Sequence, residues 1–254
     1  MCGIVGYIGH QEAYPILING LKRLEYRGYD STGIALLNGD LNIYKKKGKV
    51  SNLENYSKGK NTEGFVGIGH TRWATHGKPD DINAHPHLSG NGRLALIHNG
   101  IIENYSTLKE ALSKLGHTFV SETDTEVLVH LIEEIQTTQN IGLEEAVRIA
   151  LSKVIGAYAI VVIDRNNPNI LVAARKGSPL VVGLGENEYF IGSDATPIIG
   201  YTKKVIYLQD EEIAIIKDGH LQIKDIKNEI KNPKIELLDM EIEALEKAGY
   251  DYFM

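Results

Sequence analysis

The sequence is poor in cysteine, in long apolar runs and in net positive charge, and each shortage excludes a class of protein. The single cysteine, Cys2, rules out an intramolecular disulfide and any multi-cysteine zinc or iron–sulfur site, and it favours a reducing compartment. No apolar run approaches the roughly 20 residues of a membrane-spanning helix, since the longest, 157–163, has the length of a buried strand. Because the start of the chain also lacks a charged leader, we expect a cytoplasmic protein with no membrane partner.

The charge balance argues against a nucleic-acid partner. The 254 residues carry 27 Lys and Arg against 33 Asp and Glu, a formal net charge of −6, whereas non-specific binding to nucleic acid rests on a basic surface. The basic run at positions 45–49 predicts an exposed strand rather than a phosphate site. A hydrophobic content of 43% is that of an ordinary globular chain, long enough to hold a full core.

The spacing of apolar residues predicts an α+β fold with antiparallel sheets. Helical spacing covers the segments 11–25, 105–115, 125–135, 143–154 and 239–247. Most of the second half has the pattern of short strands in hairpin succession, and Asn38-Gly39-Asp40 predicts a hairpin in the first half. This grouping favours α+β over a doubly wound parallel sheet. A Lys- and Glu-rich stretch after residue 230 separates a main domain, 1–230, from a C-terminal extension, 231–254.

The position of Cys2 directly after Met1 makes it the most informative residue. A lone cysteine at a strand start is commonly a small buried hydrophobe. Methionine ahead of a small residue is commonly excised, however, and Cys2 would then carry a thiol and a free α-amine together. Such an N-terminal nucleophile can use its own amine as general base, because a free α-amine has a pKa of about 7.7–8.0 and is substantially neutral at cellular pH.

Two further segments each allow a structural and a chemical interpretation. Arg72 ends a predicted strand, where its guanidinium either caps a sheet edge or pairs with a substrate carboxylate. Asn99 and Gly100 lie between apolar runs, a pattern typical of a hairpin turn. The same pair can instead direct the Asn99 amide and the Gly100 N–H at a developing oxyanion, as acyl transfer requires.

An acidic segment and a histidine-rich segment also have two interpretations. Thr123 and Glu126 have capping-box spacing, and Asp124 in the first turn suits the helix dipole, although a carboxylate there can also hold a ligand's ammonium group. The histidines suggest a metal site, above all His85-Pro86-His87 with His76 nearby. These lie in a loop without the regular spacing of metal ligands, so we expect no metal.

Several segments, in one order along the chain, carry a resemblance to a known family. They are CGIVG from Cys2, EYRGYDS from Glu25, HTRWATHG from His70, NAHPH from Asn83, HNGIIEN from His98 and SETDTEV from Ser121. They resemble the glutaminase domain of the N-terminal-nucleophile (class II) glutamine amidotransferases, and the resemblance covers essentially the whole chain. The segments from His70, His98 and Ser121 are most similar to the members that aminate a sugar phosphate.

The resemblance implies a four-layer αββα sandwich (Ntn hydrolase-like) and a role for each matching residue. Cys2 would be the nucleophile, with its own amine as base. Asn99 and Gly100 would form the oxyanion hole. Arg72 would bind the α-carboxylate of L-glutamine, and Asp124 would bind its α-ammonium group.

Lesser roles follow from the same resemblance. Thr75 and His76 would help Arg72, Trp73 would lie in a loop that closes over glutamine, and Arg27 would support the surroundings of the nucleophile. Glutamine would be hydrolysed through a thioester without metal or organic cofactor. Ammonia would pass to fructose 6-phosphate on sugar-isomerase domains outside this chain, and the full-length enzyme is expected to be a homo-oligomer.

Three alternatives remain open at this point. The domain could belong to an amidophosphoribosyltransferase or an asparagine synthetase, which would share the nucleophile but differ around Arg72 and Asp124. It could also be a non-catalytic, metal-binding module with the same fold. If Met1 stays attached to Cys2, an outside base is needed, and His70, His76 and His98 are the candidates.

Overall fold

Two antiparallel sheets with helices on their outer faces make up the part of the chain described by the computed structural model, residues 2–73 and 77–239. The strands are β1 (Gly3–Ile8), β2 (Ser31–Asn38), β3 (Asp40–Lys47), β4 (Val66–Arg72), β5 (His87–Leu88), β6 (Leu94–Ile102), β7 (Gly156–Asp164), β8 (Asn167–Lys176), β9 (Val181–Leu184), β10 (Tyr189–Gly192), β11 (Lys204–Tyr207), β12 (Glu212–Lys217), β13 (His220–Asp225), β14 (Ile230–Lys231) and β15 (Glu236–Leu237). The helices are α1 (Ala13–Leu24), α2 (Val50–Ser57), α3 (Tyr105–Lys114), α4 (Asp124–Gln139) and α5 (Leu143–Leu151). The predicted α+β class is confirmed.

The order of the strands places the start of β1 in the middle of a sheet. The first sheet runs β15-β11-β9-β10-β1-β4-β2-β3, and the second runs β14-β13-β12-β8-β7-β6-β5. Gly3 lies opposite Thr71 in the pairing of β1 with β4, so that Cys2, just before β1, comes beside the end of β4 at Arg72. In the second sheet, β6 pairs with β7 along its whole length.

Three buried apolar clusters fill the three gaps between four layers, which confirms the αββα sandwich. One cluster lies between the sheets, one lies between the first sheet and α1 and α2, and the third lies between the second sheet and α3, α4 and α5. Strand β1 contributes to two of them, because successive strand side chains face opposite sides: Ile4 packs between the sheets and Val5 packs beneath α1.

The two Asn-Gly patterns have different outcomes. Asn38-Gly39-Asp40 does form the predicted hairpin between β2 and β3, with Gly39 at φ 69°. The hairpin expected at Asn99 and Gly100 is wrong, because β6 continues through both residues and pairs Gly100 with Tyr158. Gly100 has φ 132°, and a Cβ there would overlap the carbonyl oxygen of Ala157. Glycine is therefore required at this position for the close approach of β7.

The helix predictions are confirmed where the structure describes them, apart from shifts at their ends. Helix α2 was missed because its apolar stripe is short, with only Val50, Leu53 and Ser57 buried. The predicted helix 239–247 lies essentially outside the described residues. Residues 236–238 of the proposed extension pack on the main domain, where β15 pairs with β11 and Leu238 is buried. No described helix is long and apolar enough to cross a membrane.

Candidate active site

A cavity of about 370 Å³ brings together all the predicted site residues that the structure describes. These are Cys2, Arg27, Arg72, Trp73, Asn99, Gly100 and Asp124. They come from distant parts of the sequence: the residue before β1, the short 3₁₀ turn after α1, the end of β4 and the residue after it, the late part of β6 and the first residue of α4. Thr75 and His76 lie outside the described residues, so their roles stay predictions.

The thiol of Cys2 lies against the backbone at the end of β4. Its Sγ accepts a hydrogen bond from the N–H of Trp73 at 3.1 Å. Burial raises the pKa of the Cys2 thiol above its ordinary value, and the Trp73 hydrogen bond opposes this increase more weakly. At neutral pH the sulfur is therefore protonated, and nucleophilic attack requires a base.

The side-chain amide of Asn99 has its orientation set by two neighbours. Its Oδ1 accepts a hydrogen bond from Nε2 of His70 at 2.8 Å, and its Nδ2 donates to the carbonyl oxygen of Cys2 at 3.2 Å. His70 is fully buried, and burial lowers its pKa to about 3, so the ring is neutral. Because an amide oxygen only accepts, the proton of this ring is assigned to Nε2. His70 thereby turns the NH₂ group of Asn99 toward Cys2.

The guanidinium of Arg72 forms part of the cavity wall and also organises the backbone beside it. The side chain is only 4% exposed, and it donates hydrogen bonds to the carbonyl oxygens of Gly77 at 3.3 Å and Lys78 at 3.2 Å. Its Nη1 lies 4.0 Å from a carboxylate oxygen of Asp30. The structural and the chemical interpretations of Arg72 are thus compatible.

Asp124 connects the start of α4 to the end of β6. Its Oδ2 accepts a hydrogen bond from the backbone N–H of Ile102 at 2.8 Å, so the carboxylate is fixed next to Asn99 and Gly100. The predicted N-cap is confirmed, since the Thr123 hydroxyl accepts from the N–H of Glu126 at 3.4 Å. The returning half of the capping box is absent: the Glu126 carboxylate instead accepts from the N–H groups of residues 120 and 121.

Arg27 and Trp73 both line the cavity, with the side chain of Arg27 buried and that of Trp73 exposed. Arg27 donates to Asp194 at 2.8 Å, and its neighbour Ser193 accepts from the N–H of Ile4 at 3.2 Å, so Arg27 braces the segment that is bonded to β1. Trp73 is 56% exposed. Its indole packs against the backbone of Gly28, where a Cβ would meet the ring at 2.5 Å. Trp73 is thus an exposed part of the cavity lining, and its closing over glutamine stays a prediction.

Buried histidines bonded to the start of α4 form the back of the site, a feature that the sequence reasoning missed. The hydroxyl of Thr125 lies 2.9 Å from Nε2 of His85 and 3.0 Å from Nδ1 of His98. Nε2 of His87 lies 3.0 Å from the hydroxyl of Thr123. The only available signal was the recurrence of histidine and threonine in the segments NAHPH, HNGIIEN and SETDTEV. Burial lowers the pKa of all three rings.

The fold and the position of Cys2 define the class of protein. An antiparallel αββα sandwich with a cysteine directly before a central strand is the architecture of N-terminal-nucleophile amidotransferases. The glutamine amidotransferase domain model matches residues 54–217, more than half of the chain. The chain therefore belongs to the glutamine amidotransferase domain family.

Curated relatives match over the full chain. The chain is 58% identical over 257 aligned positions to glutamine–fructose-6-phosphate aminotransferase [isomerizing] of Bacteroides thetaiotaomicron and 55% identical over 258 to that of Chlorobaculum tepidum; in each case the match covers 100% of the chain and 42% of the relative. Among solved structures, the glutamine phosphoribosylpyrophosphate amidotransferase from B. subtilis superimposes with a TM-score of 0.76 at 29% identity, covering 90% of this chain and 50% of that one. The chain thus spans less than half the length of the curated relatives it matches.

Proposed function

We propose that the chain hydrolyses L-glutamine to glutamate and ammonia through a γ-glutamyl thioester on Cys2. The strongest support is that a thiol, an oriented amide, a guanidinium and a carboxylate line one cavity. Arg72 and Asp124 supply opposite charges for the α-carboxylate and the α-ammonium of glutamine. These charges bind the amino-acid head group and leave the amide end for Cys2.

The chemistry begins with a proton transfer. Once Met1 is removed, the α-amine of Cys2 accepts the thiol proton, and the thiolate attacks the amide carbon of glutamine. The negative charge on the carbonyl oxygen is stabilised by Nδ2 of Asn99 and the N–H of Gly100. When the C–N bond breaks, the protonated α-amine of Cys2 gives its proton to the departing nitrogen, which leaves as ammonia.

The second half of the reaction restores the enzyme. The amine takes a proton from water, the hydroxide attacks the thioester carbon, and the C–S bond breaks to give glutamate. The sulfur recovers its proton. His70 is a poor substitute for the amine as general base, because burial lowers its pKa to about 3 and its Nε2 is bonded to Asn99.

The test is a glutamine hydrolysis assay on protein shown by mass to start at Cys2. Equal amounts of glutamate and ammonia are expected, and a glutamine-analogue electrophile should label the chain once, at Cys2. Cys2→Ala should lose activity and labelling while keeping its circular dichroism spectrum, because the side chain is small and only half-buried. Labelling at another residue, or activity in Cys2→Ala, contradicts the proposal.

For the longer protein, we propose that the ammonia aminates fructose 6-phosphate in a cytoplasmic homo-oligomer, with residues 1–230 as the glutaminase domain and 231–254 leading to sugar-isomerase domains. The support is that the relatives at 58% and 55% identity are glutamine–fructose-6-phosphate aminotransferases. An amidophosphoribosyltransferase role has weaker support, since the glutamine phosphoribosylpyrophosphate amidotransferase matches as a structure at 29% identity. The chain alone should release ammonia with fructose 6-phosphate present and form no amino sugar.

A further inference from the structure

A second group of side chains that can bind a metal ion lies on and beside α4, outside the cavity that contains Cys2. It consists of His117, His130 and Glu133, and one ligand atom from each lies within 4.8 Å of the others. His130 and Glu133 are three positions apart on α4 and so share a face of the helix. His117 comes from the segment that joins α3 to α4. None of the three lines the cavity around Cys2.

The two imidazole rings face each other through their Nδ1 atoms, which are 2.9 Å apart. Two nitrogens bound to one tetrahedral ion at about 2.0–2.1 Å each would be separated by about 3.3 Å. A ring displacement of a few tenths of an ångström therefore brings the two nitrogens to this separation. The Glu133 oxygen, which belongs to the same group of atoms within 4.8 Å, has to approach by up to about 1.5 Å on binding.

The outer nitrogens of both rings face carboxylates. Nε2 of His117 lies 2.9 Å from a carboxylate oxygen of Glu134, and Nε2 of His130 lies 3.9 Å from one of Glu126. Because an ionised carboxylate only accepts, His117 carries its proton on Nε2 and leaves Nδ1 with a lone pair. If the His130 ring carries its proton on Nε2, that N–H points at Glu126 and Nδ1 of His130 also has a lone pair. Carboxylates behind histidines orient metal-binding rings in this way.

The local charge also favours a cation. Three carboxylates, those of Glu126, Glu133 and Glu134, lie around the two rings. Within residues 2–73 and 77–239, Arg93 and Lys45 interact electrostatically with Glu133 and Glu126, but neither comes within the 4.0 Å of an ion pair with them. Glu133 is 8% exposed and accepts backbone hydrogen bonds from residues 90 and 91 at 2.9 and 3.2 Å, which hold it beside the rings. Buried charges of this kind are paired or bind metal.

We propose that His117, His130 and Glu133 bind a divalent transition-metal ion of the Zn²⁺ class, through both Nδ1 atoms and the carboxylate. Water completes the tetrahedral set, which mixes nitrogen and oxygen as zinc accepts. The site lies six residues beyond Asp124 on α4, or about 9 Å along the helix. An ion bound there would fasten the segment between α3 and α4 to the helix that carries Asp124. This proposal departs from the sequence-based expectation of no metal, which considered other histidines.

The test is a titration of Zn²⁺ into the full chain carrying Cys2→Ala, so that the thiol contributes no ligand, with Co²⁺ as an optical probe of tetrahedral coordination. One ion per chain is expected. His117→Gln should weaken binding at least about 10-fold, and Glu134→Gln should do so by about 10–100-fold, the usual loss for an outer carboxylate. His220→Gln, which changes an exposed histidine on β13, is the matched control and should bind like the parent.

Thermal unfolding gives an independent measurement. Zn²⁺ should raise the unfolding midpoint of the parent and of His220→Gln but leave that of His117→Gln unchanged. Glutamine hydrolysis by the same variants with Cys2 intact reports their folding, and Glu134→Gln decides the question if His117→Gln is poorly folded. The proposal is overturned if no stoichiometric binding is found, or if the parent, His117→Gln and His220→Gln bind with equal affinity.

Discussion

Removing the side-chain amide of Asn99 separates its chemical role from its structural one. In Asn99→Ala, the oxyanion loses the Nδ2 donor, which the structure holds within 3.2 Å of the Cys2 carbonyl oxygen. Loss of one such donor lowers kcat by about 10²–10³-fold, or about 2.7–4 kcal/mol of transition-state stabilisation. Glutamine affinity should change little, because the head group is bound by Arg72 and Asp124.

The same substitution has a separate cost in folding. It leaves Nε2 of His70 buried without the partner that it now has at 2.8 Å. An unpaired buried donor costs about 1–3 kcal/mol, so the free energy of unfolding should fall by about that amount. Saturating glutamine assays give kcat, and urea unfolding of the same preparations gives the stability.

Asn99→Asp distinguishes the two contributions. A carboxylate can still accept from His70, but it places negative charge where the oxyanion develops. The loss in kcat should be at least as large as in Asn99→Ala, even though the hydrogen bond to His70 is kept. The reasoning is refuted if both variants keep the normal kcat and lose only stability, since Asn99 would then serve the structure alone.

Three further predictions concern binding, coupling and pH. Arg72→Lys keeps the charge but loses the planar guanidinium, so it should mainly raise KM; steady-state kinetics with unchanged KM contradict this. Asp124→Asn should also raise KM, and the double variant should lose less than the sum of the two in ln(kcat/KM) if one bound glutamine couples them. Burial lowers the pKa of His70 from about 6.5 to about 3. As the pH falls, this ring is therefore protonated in the unfolded state before it is protonated in the folded state. The contribution of this ring to stability should therefore be full above about pH 6.5 and should decline toward pH 3 by up to about 1.4 kcal/mol per pH unit, as measured by urea unfolding at a series of pH values.

The site residues of this chain could be found from the sequence to different degrees. Position alone made Cys2 a candidate nucleophile, because few places put a thiol and a free amine on one residue, while a small buried hydrophobe stayed the alternative. Arg72, Asn99 and Asp124 were each ambiguous in isolation, since each also has a local structural use. The structure shows why the ambiguity could not be resolved locally: Asp124 both begins α4 and bonds to Ile102, and Arg72 both lines the cavity and holds the backbone at Gly77.

The features that were missed depend on contacts between distant segments. The hydrogen bond from His70 to Asn99 joins residues 29 positions apart, and the apolar periodicity of neither strand predicts it. The error at Asn99 and Gly100 has a similar origin. An Asn-Gly pair between apolar runs is a strong hairpin signal, but here the glycine is needed because β7 passes so close to β6. Local patterns thus predicted the helices, the strands and the α+β class well and the tertiary contacts within the site poorly, whereas the four layers were implied by the family resemblance.

The most direct test of the central claim compares the chain that retains Met1 with the chain that starts at Cys2. If the α-amine of Cys2 is the general base, retained Met1 turns that nitrogen into an amide, and kcat should fall by about 10²–10⁴-fold. Trimming by an aminopeptidase should restore activity in proportion to the processed fraction seen by intact mass. The kcat/KM of the processed chain should rise with pH through an apparent pKa near about 7–8. Full activity with Met1 attached would contradict the account and remove the amine from the mechanism.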